Sequence, residues 1–362
     1  MAHPIPGILL LNVGTPDGPS VPEVRRYLRE FLMDPRVIDL ALPLRWLLVY
    51  GLVLPTRPAK SAAAYRSVWG PRGSPLLQHS EDLRDALQAA LGSRARVAIG
   101  MRYGNPSIAS ALDALLAADV SEVIVLPLFP QYAAASTGTA LERVMDLAGA
   151  RWNVPPMRTM PAFYDDDGFL DACANVATRA LADRGLTFAE LDHVLMSFHG
   201  LPERHCRRSD PTGQHCLSSA ACCDAFVAAN RHCYRAQCFA TARALASRLQ
   251  LPAERWSIAF QSRLGRTPWV KPYTDAVLAE LGERKLQRVA VLEPSFVADC
   301  LETVEEIGIR GREAFAAHGG GELMLLPCVN ADPEWVSALL AMMTFDEVPA
   351  RDEGAVIAVR EG

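Results

Sequence analysis

The chain has 362 residues, half of them apolar, and 36 Lys and Arg against 41 Asp and Glu leave it a formal charge of −5. That length and apolar fraction supply two cores of ordinary size, which excludes disorder, and an acidic balance without a basic face excludes nucleic acid as a partner. The opening residues Met1 to Pro6 lack a basic region and run straight into an apolar stretch, so no signal or transit segment is expected and a cytoplasmic location follows.

The first continuous apolar run, residues 8–13, reads as a strand buried on both faces. The Gly14-Thr15-Pro16-Asp17-Gly18 turn after it matches neither a dinucleotide fingerprint nor a phosphate-binding loop, so no nucleotide cofactor is expected. Residues 40–55 are greasy but broken by Pro43 and Arg45, and fall short of the ~20 residues a spanning helix needs. They read as a buried helix or, through Trp46, Leu47, Leu48, Tyr50 and Leu54, as an exposed apolar lip resting on a membrane surface or a greasy ligand. Helical patterns at 80–91 and 108–117 alternate with strand patterns at 97–100, 123–128 and 158–162.

A second set of strands follows at 194–198, 257–260, 289–292 and 323–326, with a helix at 235–249 and a last helix at 333–343. Strand and helix thus alternate twice over. The α/β fold expected is two similar doubly wound domains with parallel four-stranded sheets and an active-site cleft between them. The first covers 1–162 and carries the lip. The second covers 163–330 with a cysteine-rich insertion at 204–233, and 331–362 forms a helix packing back on the first domain and a tail. Ligands of such sheets bind beyond the carboxyl ends of the strands.

Those ends carry chemistry. His199 closes an apolar run, and Gly200 and Pro202 turn the chain directly after it, which leaves the imidazole at a loop mouth. About a hundred residues later, Asp299, Glu302 and Glu306 are spaced three and four apart on one helical face at the same sheet edge. Asp299 with Glu302 also satisfies a capping box, which alone would stabilise a helix start by ~1 kcal/mol. A base beside carboxylates is equipment for taking protons from a weak acid and handing over a divalent metal. Two domains around a cleft also describe exported solute-binding proteins or a haem or iron sensor, but the missing signal segment and the base–carboxylate pair argue for an enzyme.

The sequence resembles ferrochelatase nearly end to end. The likeness is carried by Leu11-Asn12-Val13-Gly14-Thr15-Pro16, Tyr65-Arg66 with Gly73-Ser74-Pro75-Leu76, Met101-Arg102-Tyr103-Gly104, Pro130-Gln131-Tyr132, Ser197 to Pro202, Gln261-Ser262-Arg263 with Pro268-Trp269, and Asp299 to Glu306. The resemblance implies insertion of Fe2+ into protoporphyrin IX to form protohaem, with coproporphyrin III as the alternative substrate. It implies that His199, Glu302 and Glu306 are catalytic, with His199 and Glu302 meeting the iron substrate across the cleft and Glu306 relaying protons or metal. Arg102 would hold a propionate, and Val13, Arg66, Tyr103, Tyr132, Trp269 and Phe296 would line the macrocycle. Cys300 stands where some members carry histidine. A monomer or homodimer, with peripheral contact to a membrane, completes the expectation.

Six of the nine cysteines crowd between Cys206 and Cys238. A cytoplasmic protein disfavours disulfides, so metal is the better explanation, either zinc or an iron–sulfur cluster. The spacing lacks two tidy Cys-x2-Cys pairs, and it resembles the internal segment of certain bacterial ferrochelatases that bind a [2Fe-2S] cluster. That resemblance implies Cys216, Cys222, Cys223 and Cys233 as ligands, with Cys206 as a substitute for one. Cys238 reads as a small hydrophobe, and Cys173 and Cys328 as core.

Overall fold

The computed structural model describes residues 5–265 and 267–344, so most of the expected 331–362 tail lies outside the described residues. All eight apolar runs form strands. β1 (Gly7–Thr15), β2 (Arg96–Gly104), β3 (Val123–Pro127) and β4 (Met157–Thr159) make one sheet in the order β2-β1-β3-β4. β5 (His193–His199), β6 (Trp256–Gln261), β7 (Arg288–Leu292) and β8 (Glu322–Leu325) make a second in the order β6-β5-β7-β8. Every pairing is parallel. The two sheets therefore repeat one topology.

Parallel neighbours cannot be joined by hairpins, so helices make the crossovers. Between β1 and β2 run α1 (Val21–Leu32), α2 (Leu42–Leu48), α3 (Leu54–Val68) and α4 (Pro75–Leu91); α5 (Ile108–Ala117) and α6 (Thr139–Gly149) complete the first half. α7 (Asp167–Ala182) leads into the second, where α8 (Glu203–Arg208) and α9 (Tyr234–Arg248) precede β6, and α10 (Thr274–Glu283), α11 (Arg312–Ala317) and α12 (Pro333–Met342) follow. Several helices start on a side-chain cap: Ser20, Ser74, Ser107 and Asp166 each accept the N–H three residues on. Each such cap contributes about 1 kcal/mol.

Side chains of a strand alternate between faces, and β1 uses both. Leu9 and Leu11 pack with residues of α5 and α6, whereas Ile8 and Leu10 join a core that continues through Met196, Phe198 and Phe260 of the second half. The halves are thus fused through one apolar interior, in which each fully buried Leu or Phe contributes ~1.5–3 kcal/mol. Trp335 of α12 is fully buried, with the Phe163 and Phe169 rings 5.4 and 5.5 Å from its own. α12 packs against both α4 and α7, and so touches both halves.

The 40–55 stretch does not form a buried helix. It breaks into α2, a π-helical turn at Val49–Val53 and the start of α3, with Leu42, Leu44, Leu47 and Leu52 each about 60% exposed and Trp46 54%. Only Arg45, Val49 and Leu54 turn inward. No helix among the described residues is long and apolar enough to cross a membrane.

Candidate active site

β5 ends on His199, in register with Gln261 at the end of β6. The backbone N–H of His199 donates to Ser295 Oγ at 3.0 Å, and its carbonyl accepts from Tyr234 Oη at 2.8 Å. Its Nδ1 lies 2.7 Å from the Gly200 carbonyl, which can only accept. Nδ1 therefore carries the hydrogen and Nε2 presents a lone pair, the form a proton acceptor needs. Phe296 lies edge-on to the imidazole at 6.3 Å, and Trp269 lies against the next residue, where a Cβ on Gly200 would approach the indole to 3.2 Å.

The carboxylates begin beside the same edge. Gln261 Nε2 donates to the Glu302 carbonyl at 2.9 Å, and Ser262 donates to Glu306 through its backbone N–H (2.9 Å) and its hydroxyl (2.6 Å). Residues Glu302–Gly311 wind as a π-helix, not the α-helix that the spacing predicts, and its end is closed by the Arg312 N–H on the Ile307 carbonyl, five residues back. Such windings gather at functional sites. The expected capping box is absent: Asp299 instead accepts from Asn330 Nδ2 at 2.8 Å and Thr303 Oγ1 at 3.0 Å, which locks the turn before the π-helix to the loop after β8.

Burial, then the nearby Glu302 charge, push the Glu306 carboxyl above its ordinary range, against the pull of Ser262 and His199. A group held between a base and a second carboxylate is placed to exchange protons with both. Glu293, directly after β7, is 4% exposed with neither oxygen hydrogen-bonded among the described residues, and burial drives its pKa well up. Cys300 is buried in a small cluster with Leu76 and Ala298, and burial holds it as a thiol.

His199, Glu302 and Glu306 all belong to the second half: His199 ends β5, and both glutamates lie in the π-helix that follows β7. The first half contributes Val13, which packs with Phe296 against the cluster of Leu76, Ala298 and Cys300, and a polar group around Arg102. There Arg102 Nη2 is 2.6 Å from Asp34 Oδ2, its Nε is 2.8 Å from Thr139 Oγ1, and Tyr132 Oη would meet a Cβ on Gly138 at 3.2 Å. Gly14 makes the approach of β1 and β2 possible: its φ is +106° and a Cβ there would sit 1.8 Å from the Tyr103 carbonyl.

Two of the residues expected to line the macrocycle are engaged elsewhere in this structure. Tyr103 is fully buried and its hydroxyl bonds Asp34 at 2.9 Å, so it supports Arg102 from beneath and presents no face to a ligand. Arg66 is exposed and reaches only the Pro19 carbonyl, at 3.4 Å. The cation of α3 that faces Glu302 and Glu306 is Arg57, nine residues earlier and so about two and a half turns away, on the opposite side of the helix. Burial pulls the Arg57 pKa down, and the two carboxylates and Tyr65 pull it up. Sequence reasoning passed over Arg57; its signal was a lone arginine between Pro55 and Pro58 at the end of the lip.

The cysteine segment folds into a nest. Cys206, Cys216, Cys222, Cys223 and Cys233 are all buried, with the Cys222 and Cys223 sulfurs 3.7 Å apart. Hydrogen bonds from Cys206, Cys223 and Cys216 pull the Cys233 thiol far down, while Cys206 and Cys223 are pushed up. Thiols this close favour one shared negative charge. Arg235 Nη1 lies 3.1 Å from Cys223 Sγ, and the Leu217 N–H points at Cys222 Sγ from 3.4 Å. Cys238 is buried beside Tyr234, Cys328 is buried near Asp299, and Cys173 is half-buried. Among the described residues no three His, Cys, Asp or Glu side chains stand at the spacing of a bound ion, so both the nest and the cleft are gathered but not set to ligand geometry.

Two doubly wound domains with a base and paired carboxylates at their strand ends define a metal chelatase by fold and site. A solved structure of SirB from Bacillus subtilis with Fe3+ shares the fold, with a TM-score of 0.51 and 13% identity over 94% of both chains. The ferrochelatase family model matches residues 6–346. A ferrochelatase of Azotobacter vinelandii is 48% identical over 333 residues, 92% of this chain and 96% of that one. A ferrochelatase of Coxiella burnetii is 45% identical over 336 residues, 93% of this chain and 92% of that one. The chain belongs to the ferrochelatase family, and it is an enzyme of haem biosynthesis that inserts a metal into a porphyrin.

Proposed function

We propose that the substrate is protoporphyrin IX and the metal Fe2+, with His199 Nε2 taking pyrrole protons and Glu302 and Glu306 receiving them or passing the iron. The observation that carries this reading is the 2.7 Å contact of His199 Nδ1 with the Gly200 carbonyl, which leaves Nε2 as the basic nitrogen of the neutral ring. A porphyrin resists metal entry because two nitrogens hold protons and the ring must buckle. Trp269, Phe296 and Val13 supply apolar walls, Arg102 an anchor for one propionate, and Tyr132 the rim of that anchor.

The exposed row from Leu40 to Leu52 suits a substrate with apolar vinyl edges and lets a cytoplasmic enzyme rest on the inner face of a membrane. Arg57 favours the second reading, coproporphyrin III, because it adds a cation where extra carboxylates would need one. Anaerobic turnover of the two porphyrins with ferrous iron separates them: the proposal expects higher kcat/KM for protoporphyrin IX, and preference for coproporphyrin III overturns it.

The thiol nest is read as the seat of a [2Fe-2S] cluster on Cys216, Cys222, Cys223 and Cys233. Its burial, the Arg235 guanidinium beside two sulfurs and the backbone N–H on a third side fit a group carrying negative charge. When bound, such a cluster supplies a cross-link within a segment that has few regular elements. Metal insertion moves no electron, so the chemistry in the cleft needs nothing from it.

A further inference from the structure

α8 touches three parts of the molecule at once. At its start Pro202 bridges to Trp269, and the Glu203 N–H donates to the Pro268 carbonyl at 3.0 Å, so the helix abuts the cleft wall. Arg204 and Arg208, four residues apart and hence on one face, both reach Asp39. Arg204 Nε sits 2.7 and 2.9 Å from the two carboxylate oxygens, Arg208 Nη1 3.4 Å from one, and His205 Nε2 3.6 Å from it. Cys206, about half a turn round from Arg204, is 1% exposed and lies against Cys233 in the nest.

Asp39 stands one residue before Leu40, where the exposed apolar row begins. Arg45 fastens the same point from inside: it is 7% exposed, and its Nη1 donates to the carbonyls of Ile38 and Leu40 at 3.2 and 3.3 Å. An ordinary surface ion pair would fix little. The Asp39 side chain, however, is 10% exposed and gathers Arg204, Arg208 and His205, so several contacts from α8 converge on one largely buried carboxylate.

We propose that Asp39 is a positioning residue: through Arg204 on α8 it ties the lip over the cleft to the thiol nest, so that a filled nest holds the lip and an emptied one releases it. The coupling rests on the reading of the nest as a cluster site. Two positions of α8 suffice to carry it, since the helix is six residues long and bonded at one end to the cleft wall.

Hydrogen–deuterium exchange of residues 40–52 tests it in the full chain, isolated anaerobically and scored for iron, acid-labile sulfide and visible absorption. Asp39→Asn is expected to raise exchange there about tenfold, and to raise the KM for porphyrin severalfold with kcat unmoved. Stripping the wild type with a chelator and reductant gives the same rise, and adds nothing in Asp39→Asn. The charge swap, Asp39→Arg with Arg204→Asp, restores protection, which a loss of folding would not. Wild-type exchange in a folded Asp39→Asn, or a lip indifferent to stripping in protein that did hold iron and sulfide, overturns the proposal. Protein isolated with neither iron nor sulfide removes the cluster reading and the coupling with it, while the Asp39→Asn arm still decides the clamp.

Discussion

The two halves share a strand order and differ in what they place at their strand ends. The first brings cations and apolar surface: Arg102, Arg57 and the lip. The second brings the base and the acids: His199, Glu302 and Glu306. Their carboxylates are tuned in opposite directions. Burial pushes Asp34 up, but hydrogen bonds from Thr139, Arg36 N–H and Tyr103, with the Arg102 charge, outweigh it and hold the group below its ordinary value. Asp39 is drawn to about 2, chiefly by Arg204. Glu306 and Glu293, by contrast, are raised by burial and by their acidic neighbours. One topology thus carries carboxylates held low by hydrogen bonds and cations in one half and carboxylates raised by burial in the other, and on the proposed reading the first half holds substrate while the second exchanges protons.

The sharpest way to break this division is His199→Ala. It should lower kcat by about 10²–10⁴-fold with KM for porphyrin nearly unchanged, as expected for a lost proton acceptor. A rise in KM with kcat retained would move His199 from chemistry to binding. Arg102→Ala probes the other half and should do the reverse, raising KM about tenfold for loss of one charge-assisted contact. Equal loss of kcat in both variants would erase the distinction.

The smallest effect is on stability against pH. A lowered Asp39 means that the unfolded chain binds the proton more tightly, so its stabilisation is complete above about 3.8 and lost as pH falls toward about 2. A raised Glu306 has the opposite sign: the folded chain keeps the proton longer, and stability falls as pH rises through the carboxylate range. Asp39→Asn should flatten the acid limb of a denaturation series, and Glu306→Gln the limb above it. The same limb lost in both variants would contradict the opposite tuning.

Much of the architecture was legible because parallel strands buried on both faces are written as continuous apolar runs; residues 8–13 and 194–198 needed nothing else. His199 was legible for a related reason, since Gly200 and Pro202 end its strand in plain sight. The π-winding after Leu301 was not, because a spacing of four fits an α-turn and a π-turn alike. Arg57 was hidden by its neighbours: the choice between it and Arg66 depends on which face of α3 packs toward Glu302.

The chain by itself determined the two sheets, the strand ends that meet ligands and the crowd of cysteines, all of which follow from local runs and spacing. The tertiary structure decided the rest. Tyr103 became a support beneath Arg102, the 40–55 stretch an exposed lip, and Asp39 the contact between that lip and the cysteine segment. Each of these depends on a partner at least 50 residues away in sequence, or on where the core runs out, and no local pattern encodes which surfaces will meet.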